Sequence, residues 1–494
     1  MADDTAVPVD RLETDVLVVG AGPVGLMLAG ELARGGADVV VVEKRREPTR
    51  ESRASTLHAR TMEILDSREL LPDVGNPPNE PKGHFGGIPL DLSLPSTHPG
   101  QWKVPQTKTE AVLEEWAISL GADIRCGHEL VAVADAGEHV DAEAVGSDGT
   151  LHLRARYVVA CDGETSAVRR LTGAQFPGED AVRELIRADV DGIEIPNRRF
   201  QRLEKGLAIA WRNPAGVTRV MVHEFGSVAQ PRTADAQFEE IATIWKRVTG
   251  EDISGGTPLW VNSFGDASRQ LVHYRQGRIL FAGDAAHRQM PIGGQALNLG
   301  LQDAFNLGWK LALTVRGLAP AELLDTYQEE RHEVGRRTLS NIKAQATMLL
   351  GPPEVEPLRT VLGELIAQED VRAHLAGMIS GLDVRYPMDA PAHPLLGARL
   401  PHTVLPGPDG DTTTTQLLRR RGGLLLDLRR DGGSPLPAAG WADRVNVVAA
   451  TAAPGSALDG TEAVLVRPDG YVAWAGTASD GLPEALTRWF GPAN

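Results

Sequence analysis

The 494-residue chain has almost no cysteine: Cys126 and Cys161 are its only two, and they form no CxxC pair. That excludes a disulfide scaffold, a thiolate zinc site and a dithiol redox motif, and no metal site is expected. Sparse cysteine also suits a reducing cytoplasm. No apolar run approaches the roughly 18 residues that a membrane-spanning helix needs. The first residues, MADDTAVPVDRLETD, are acidic and polar, the opposite of a secretory signal. Positive charge is scarce, with 50 Lys and Arg against 66 Asp and Glu, a formal charge of −16. Such a surface repels phosphate backbones and anionic headgroups, so neither nucleic acid nor membrane is an expected partner. Aromatics make up 5%, while 53 Gly and 33 Pro mark a turn-rich chain. This composition fits α/β or α+β units better than a helical bundle. At about 150 residues per domain, the length suggests roughly three domains.

The clearest local pattern lies at the front. Residues 15–20 (DVLVVG) and 38–43 (DVVVVE) read as buried parallel strands, and 24–34 between them as a helix, which makes one βαβ unit. Residues 60–67 and 106–120 read as helices, with Gly121 ending the second. Residues 76–100 are rich in Pro and Gly and read as an irregular excursion. Residues 124–145 and 151–160 alternate like hairpin strands. From about 181 to 264 the pattern is mostly strands, interrupted by a helix near 235–249. Residues 278–283 return to a buried strand, and 298–318 opens a helical stretch. After a Pro- and His-rich linker come strands at 422–428, 444–450 and 462–475, and a helix near 482–490.

Three motifs carry chemistry. The first is Gly20-Ala-Gly22-Pro23-Val-Gly25, with Glu43 at the end of the next strand. Gly20 permits a tight turn, Gly22 lets backbone approach a pyrophosphate, and Gly25 lets helix and strand pack closely. The helix N-terminus favours the anion, and the acid is placed for ribose hydroxyls. The motif alone does not separate NAD from FAD. The second is Asp162-Gly163 leading to Ser166 and Arg169, which fits a phosphate-facing turn or an ordinary turn with a capped helix. The third is Gly283-Asp284, followed by Pro291 and Gly293-Gly294-Gln295-Ala296-Leu297-Asn298. Here a strand delivers a carboxylate, and a helix N-terminus is offered to developing negative charge.

Taken together, these motifs resemble the class A flavoprotein aromatic hydroxylases, the p-hydroxybenzoate hydroxylase superfamily. Stretches such as GHFGGIPLDL and WAISLGADIRCGHE resemble the aromatic polyketide hydroxylases of angucycline pathways. The resemblance implies a Rossmann-like FAD-binding domain over 1–180 and 265–385, with an excursion near 76–104. It further implies a sheet-rich substrate domain over 181–264 and a thioredoxin-like C-terminal domain over 393–494. That last domain has no cysteine and so no thiol redox role.

The resemblance also implies residue roles. Gly20, Gly22, Pro23, Gly25, Glu43 and Lys44 would bind the adenosine and pyrophosphate side of FAD. Arg53, assisted by Arg60, would lie near the pyrophosphate, and Gln106 would open the long helix against the cofactor. Asp162 and Gly163 would serve FAD and NADPH handling, and Gly283 and Asp284 the ribitol. Pro291 would border the reacting face, and Gly293, Gly294, Gln295, Ala296, Leu297 and Asn298 would support the flavin ring. Where the family usually has Gly-Gln-Gly-Met-Asn, this chain has Ala296 and Leu297. A positive φ at position 296 would strain an alanine by about 1 kcal/mol or more and would weaken FAD retention.

For activity, the resemblance implies reduction of FAD by NADPH or NADH, with O2 as co-substrate. A flavin C4a-hydroperoxide would then hydroxylate a polycyclic aromatic polyketide of angucycline or anthracycline type. A Baeyer–Villiger insertion, a coupled oxidation and dehydration, and a degenerate flavoprotein acting as a binding module are the alternatives. Phe85, Trp211, Met221, His223 and Phe225 are candidates to face the substrate, with core packing the competing reading. His287 reads as a packed histidine after the strand turn. A homo-oligomer is compatible with everything above.

Overall fold

The computed structural model describes residues 11–48, 54–229, 232, 234, 236–390, 392–407, 410–429, 434–477 and 481–494. The chain enters the core as β1 (Arg11–Val19), passes through the glycine loop into α1 (Pro23–Arg34) and returns as β2 (Val39–Glu43). α2 (Ala59–Asp66) precedes a hairpin of β3 (Lys82–Phe85) and β4 (Ile88–Asp91). α3 (Gln106–Ser119) leads into β5 (Asp123–Cys126), then β6 (Glu129–Asp135), β7 (Val140–Gly146) and β8 (Gly149–Ala160), and α4 (Ala167–Thr172) follows.

The first sheet is parallel through β8, β1, β2 and β5, with β6 and β7 folded onto β8 antiparallel. Val16–Val19 and Val39–Val42 are buried on both faces, which is why they read as continuous apolar runs. The predicted hairpin strands over 124–145 are in fact three strands, broken at Gly127 and near Gly137, both at positive φ.

A second sheet holds β9 (Glu184–Asp191), β10 (Arg198–Arg202), β11 (Gly206–Arg212), β12 (Thr218–Glu224) and, after α5 (Phe238–Thr249), β13 (Thr257–Gly265). Its order is β10-β11-β12-β9-β13, antiparallel throughout. One face (Ile186, Ala208, Val220, Val222) packs on Ile241 and Trp245 of α5. The other face carries Leu185, Leu207, Ile209 and Met221 toward Met290 and Ile292. The two-residue period of a strand assigns these sets.

The chain then rejoins the first sheet, where β14 (Ile279–Phe281) lies parallel to β8. α6 (Gln295–Val315) and α7 (Asp325–Leu350) cross behind it, with α8 (Glu356–Ile366) and α9 (Glu369–Ser380) beyond. α6 begins three residues before the expected start, because Gly293 and Gly294 supply the left-handed turn that opens it. The last unit has four strands, β15 (Gly423–Asp427), β16 (Val445–Ala449), β17 (Ala463–Val466) and β18 (Val472–Gly476), and closes with α10 (Leu482–Phe490). The expected single strand over 462–475 is two, separated by a turn at Pro468–Gly470. Among the described residues, no helix is long and apolar enough to cross a membrane and no side-chain group is arranged to hold a metal ion.

A buried ionic cluster fastens this last unit to the first. Glu330 accepts from Lys310 Nζ at 2.9 Å and from both terminal nitrogens of Arg467, which also pairs with Asp469. All these side chains are buried. Burial alone raises the Glu330 carboxyl, but Arg467 and Lys310 outweigh it and hold the pKa at about 2. Stability from this group is therefore present above about 4.5, the ordinary value, and is lost as pH falls toward about 2. Glu330→Leu leaves buried cations uncompensated, so it should cost about 3–5 kcal/mol in urea unfolding at neutral pH. A loss below about 1 kcal/mol would refute the cluster's role as the fastening.

Candidate active site

The glycine loop is built as its chemistry requires. Gly20 has φ +103°, and a Cβ there would lie 2.6 Å from the Cys161 carbonyl oxygen. A Cβ on Gly25 would lie 1.9 Å from the Gly20 carbonyl oxygen, which forces glycine where α1 meets the loop. Gly22 is different: its φ is ordinary and a Cβ there would meet no protein atom within 4 Å. It is the N-cap of α1, which has no side-chain cap and no acid in its first turn. The first N–H groups of α1 have no partner within the helix.

Glu43 is held against this loop. Its carboxylate accepts from Ala21 N–H at 2.9 Å and from Arg45 N–H and Nε. Burial raises its pKa, but these donors outweigh the effect and hold it below the usual carboxylate value. It therefore stays an ionised acceptor. Lys44 is exposed beside it. Gln106 opens α3 after Pro105, its N–H bonded to Ala54 O and its side chain to Glu110. Arg53 lies outside the described residues.

The Asp162 turn is a helix cap. One carboxylate oxygen accepts from Ala167 N–H at 2.6 Å and Val168 N–H at 3.1 Å, and Ser166 Oγ accepts from Arg169 N–H. The other oxygen, Oδ1, is buried with no hydrogen-bond partner among the described residues. Gly163 takes φ +79°. Arg169 donates to Ala285 O at 3.0 Å and so joins this turn to the turn after β14. There Gly283 has φ +61° and Asp284 stands exposed.

The loop before α6 carries the third element. Pro291 is exposed, and Gly293 and Gly294 have φ +65° and +69°. Gly294 caps α6 without a side-chain bond and no acid follows in the first turn. The N–H groups of Gln295, Ala296 and Leu297 consequently have no partner within the helix. Ala296 is helical and lies outside the positive-φ positions, which among the described non-glycine residues are Glu69 and Phe200. The strain expected at position 296 is therefore absent, because the two preceding glycines take up the left-handed turn. Asn298 acts as a staple. Its Oδ1 accepts from His58 N–H and Thr61 Oγ1, and its Nδ2 donates to Thr56 O and Gly294 O. Its side chain is thus spent on the protein.

Arg60 is buried and turned to the C-terminal unit: it donates to Asp469 O at 2.8 Å, pairs with Glu63 and lies over the Tyr471 ring. Through these partners it links α2 to the C-terminal unit. Trp211 is 56% exposed near the end of β11, where it pairs with Arg219 of β12. Phe85 is packed with Ile88, Met348 and Ile379. Met221 and Phe225 do pack beside Met290 and Ile292. His223 is buried, its Nδ1 at 2.8 Å from Glu184 O. His287 is a packed histidine, its Nε2 at 2.7 Å from Asp303.

Several residues at the site carry no motif signal. His58 is fully buried, its Nε2 at 2.7 Å from Gly293 O, and burial lowers its pKa to about 4. Neutral at pH 7, it donates from Nε2 to that carbonyl. Arg187 on β9 bonds to Asn262 at 2.6 Å and lies near the Trp260 and Phe264 rings. Period 2 from Leu185 puts Arg187 on the face toward Met290. Phe200, strained at φ +45°, stacks on His84 with ring centroids 3.9 Å apart.

The chain matches the family described as FAD binding domain over residues 13–342 and the one described as aromatic-ring hydroxylase, C-terminal, over 393–493. A 12-dehydrotetracycline 5-monooxygenase/anhydrotetracycline 6-monooxygenase of Streptomyces rimosus subsp. rimosus is 41% identical, over 97% of this chain and 99% of the relative. The solved structure of CabE, an aromatic hydroxylase from angucycline biosynthesis, is 50% identical with a TM-score of 0.93, over 97% of this chain and 100% of that one. A dialkyldecalin synthase of Streptomyces rugosporus is 38% identical, over 97% and 99%. With its open glycine loop, its three converging turns and both domain matches, the chain belongs to the FAD-dependent aromatic-ring hydroxylases.

Proposed function

We propose that the chain uses NADPH or NADH and O2 to hydroxylate a polycyclic aromatic polyketide of angucycline or anthracycline type. The observation that carries this reading is a pairing. An uncapped α6 N-terminus follows the glycine pair at 293–294, and an apolar sheet face bearing Met221, Phe264 and Arg187 stands beside it. The same reading takes the parallel-sheet unit (1–180 and 265–385) as Rossmann-like, 181–264 as the substrate domain and 393–494 as thioredoxin-like. Scarce cysteine supports a cytoplasmic setting.

FAD fits the residues present. Gly22 leaves a cradle that a Cβ would enter, Glu43 offers carboxylate oxygens, and the N–H groups of Gln295, Ala296 and Leu297 can carry negative charge on a ring. Bound and reduced, FAD supplies oxygen activation and the transfer of one oxygen atom to an electron-rich carbon. The protein's part is to place and to dry. Leu185, Leu207, Ile209, Met290 and Ile292 exclude water from the face of the sheet. Arg187, oriented by Asn262, is the cation that would steer a phenolate there.

A second reading rests on the synthase relative: a chain that holds FAD and a polyketide without oxygenating it. Ala296 does not support it, since the residue is unstrained. Mass spectrometry after incubation with angucyclinone phenols, NADPH and O2 decides. A product heavier by about 16 Da, one oxygen atom, supports hydroxylation. A product of unchanged mass, or FAD that neither NADPH nor NADH reduces, supports the second reading instead.

The cradle makes a separate prediction. Gly22→Val adds side-chain atoms where no protein atom lies within 4 Å of a Cβ. The FAD-free protein should unfold within about 1 °C of wild type, since surface changes away from packing cost little. FAD affinity by fluorescence titration should fall at least about 10-fold, roughly the 1.4 kcal/mol of one blocked contact. Unchanged affinity would move the pyrophosphate away from α1.

A further inference from the structure

Three buried side-chain amides link the β3–β4 hairpin to the loop before α6. Gly86, at the hairpin turn with φ +56°, donates its N–H to Gln345 Oε1 at 3.1 Å. Gln345 Nε2 donates to Asn341 Oδ1 at 3.1 Å, one turn earlier on α7. Asn341 Nδ2 donates to Gln295 Oε1 at 3.2 Å, at the first residue of α6. The direction of this chain is fixed from one end. A backbone N–H is only a donor, so Gln345 must present its oxygen to Gly86 and its nitrogen to Asn341, and each amide after it follows.

The chain ends on Gln295 Nε2, a buried donor with no partner among the described residues, directly beneath the 291–294 loop. A Cβ built on Gly293 would lie 3.5 Å from this nitrogen. The hairpin end is equally well placed. Arg359 donates to Gly86 O, and Phe200, His84 and Leu349 surround the turn, which adjoins the apolar face of the second sheet. None of the three amides titrates, so the link holds at any pH at which the protein is folded.

We propose that Gln345 and Asn341 are positioning residues for the oxygenation: the amide chain transmits the position of the hairpin at the substrate side to the 291–297 loop. The proposal rests on the reading of that loop as the flavin support. Neither residue touches the reacting atoms. Removing either middle amide leaves a buried donor or acceptor unsatisfied on both sides of the gap, so the hairpin and the loop should loosen together. The two residues act through one path, so their effects should not add.

The test compares wild type, Asn341→Leu, Gln345→Met and the double variant. Hydrogen exchange on the FAD-free proteins follows segments 82–91 and 288–298, with 325–338 of α7 as the internal control for folding. Each single variant should speed exchange in both segments by roughly 10-fold while the control is unchanged. The double variant should be no worse than the worse single. With FAD, NADPH and an angucyclinone phenol added, the fraction of NADPH converted to hydroxylated product should fall while KM stays within about 2-fold, the scatter of single effects. Additive effects, loosening confined to the segment nearest the substitution, or an unchanged coupled fraction would overturn the proposal. If wild type makes no hydroxylated product, the functional reading fails, and the exchange data still decide the amide chain.

Discussion

The Asp303 carboxylate is the point on which the site depends. It is wholly buried and accepts from Arg331 Nε at 2.7 Å, His287 Nε2 at 2.7 Å and Gly283 N–H at 3.1 Å. Burial pushes its pKa up, but Arg331 and His287 outweigh this and hold it below the usual value, so it stays charged. One carboxylate thereby fixes the turn after β14, the body of α6 and the middle of α7. Arg331 extends the hold to Leu299 O and the Tyr386 hydroxyl. A buried charge satisfied from three directions tolerates little displacement, since each lost bond leaves an ion in a poor solvent.

From this anchor the cofactor surface follows by short steps. Arg169 joins the Asp162 turn to Ala285, one residue past Asp284. Asn298 and His58 pin the glycine pair before α6, and Glu43 pins the first glycine loop. Three loops far apart in sequence are thus held by side chains whose bonds are all to protein. Asp162 Oδ1 is the buried carboxylate oxygen of these loops with no partner among the described residues. Gly293 and Gly294 absorb the left-handed turn, so Ala296 sits in ordinary helix and needs no glycine of its own.

Much of this was legible because it rests on local rules. The Gly20–Gly25 loop, β1, β2 and Glu43 announce themselves by spacing, and α5, β15 and β16 by period. The rest depends on long-range partners, which periodicity does not record. The family resemblance sets Arg60 beside Arg53 at the pyrophosphate, while in the structure it meets Asp469 and Tyr471, some 400 residues on. Trp211 alternates correctly with Leu207 and Ile209, but alternation does not record that it is 56% exposed. His58, Arg187, Asn341 and Gln345 had no motif at all. Their meaning lies in what stands opposite, Gly293, Asn262 and Gly86, each on another element.

A crystal structure of the chain grown with FAD tests this account most directly. The account predicts the pyrophosphate at the N-terminus of α1 beside Gly22, the ribose against Glu43, and the flavin ring against residues 291–297, facing the sheet surface that carries Arg187 and Met221. Density for FAD away from the Gly20–Gly25 loop, or a ring lodged against the C-terminal unit near Arg60, would contradict it.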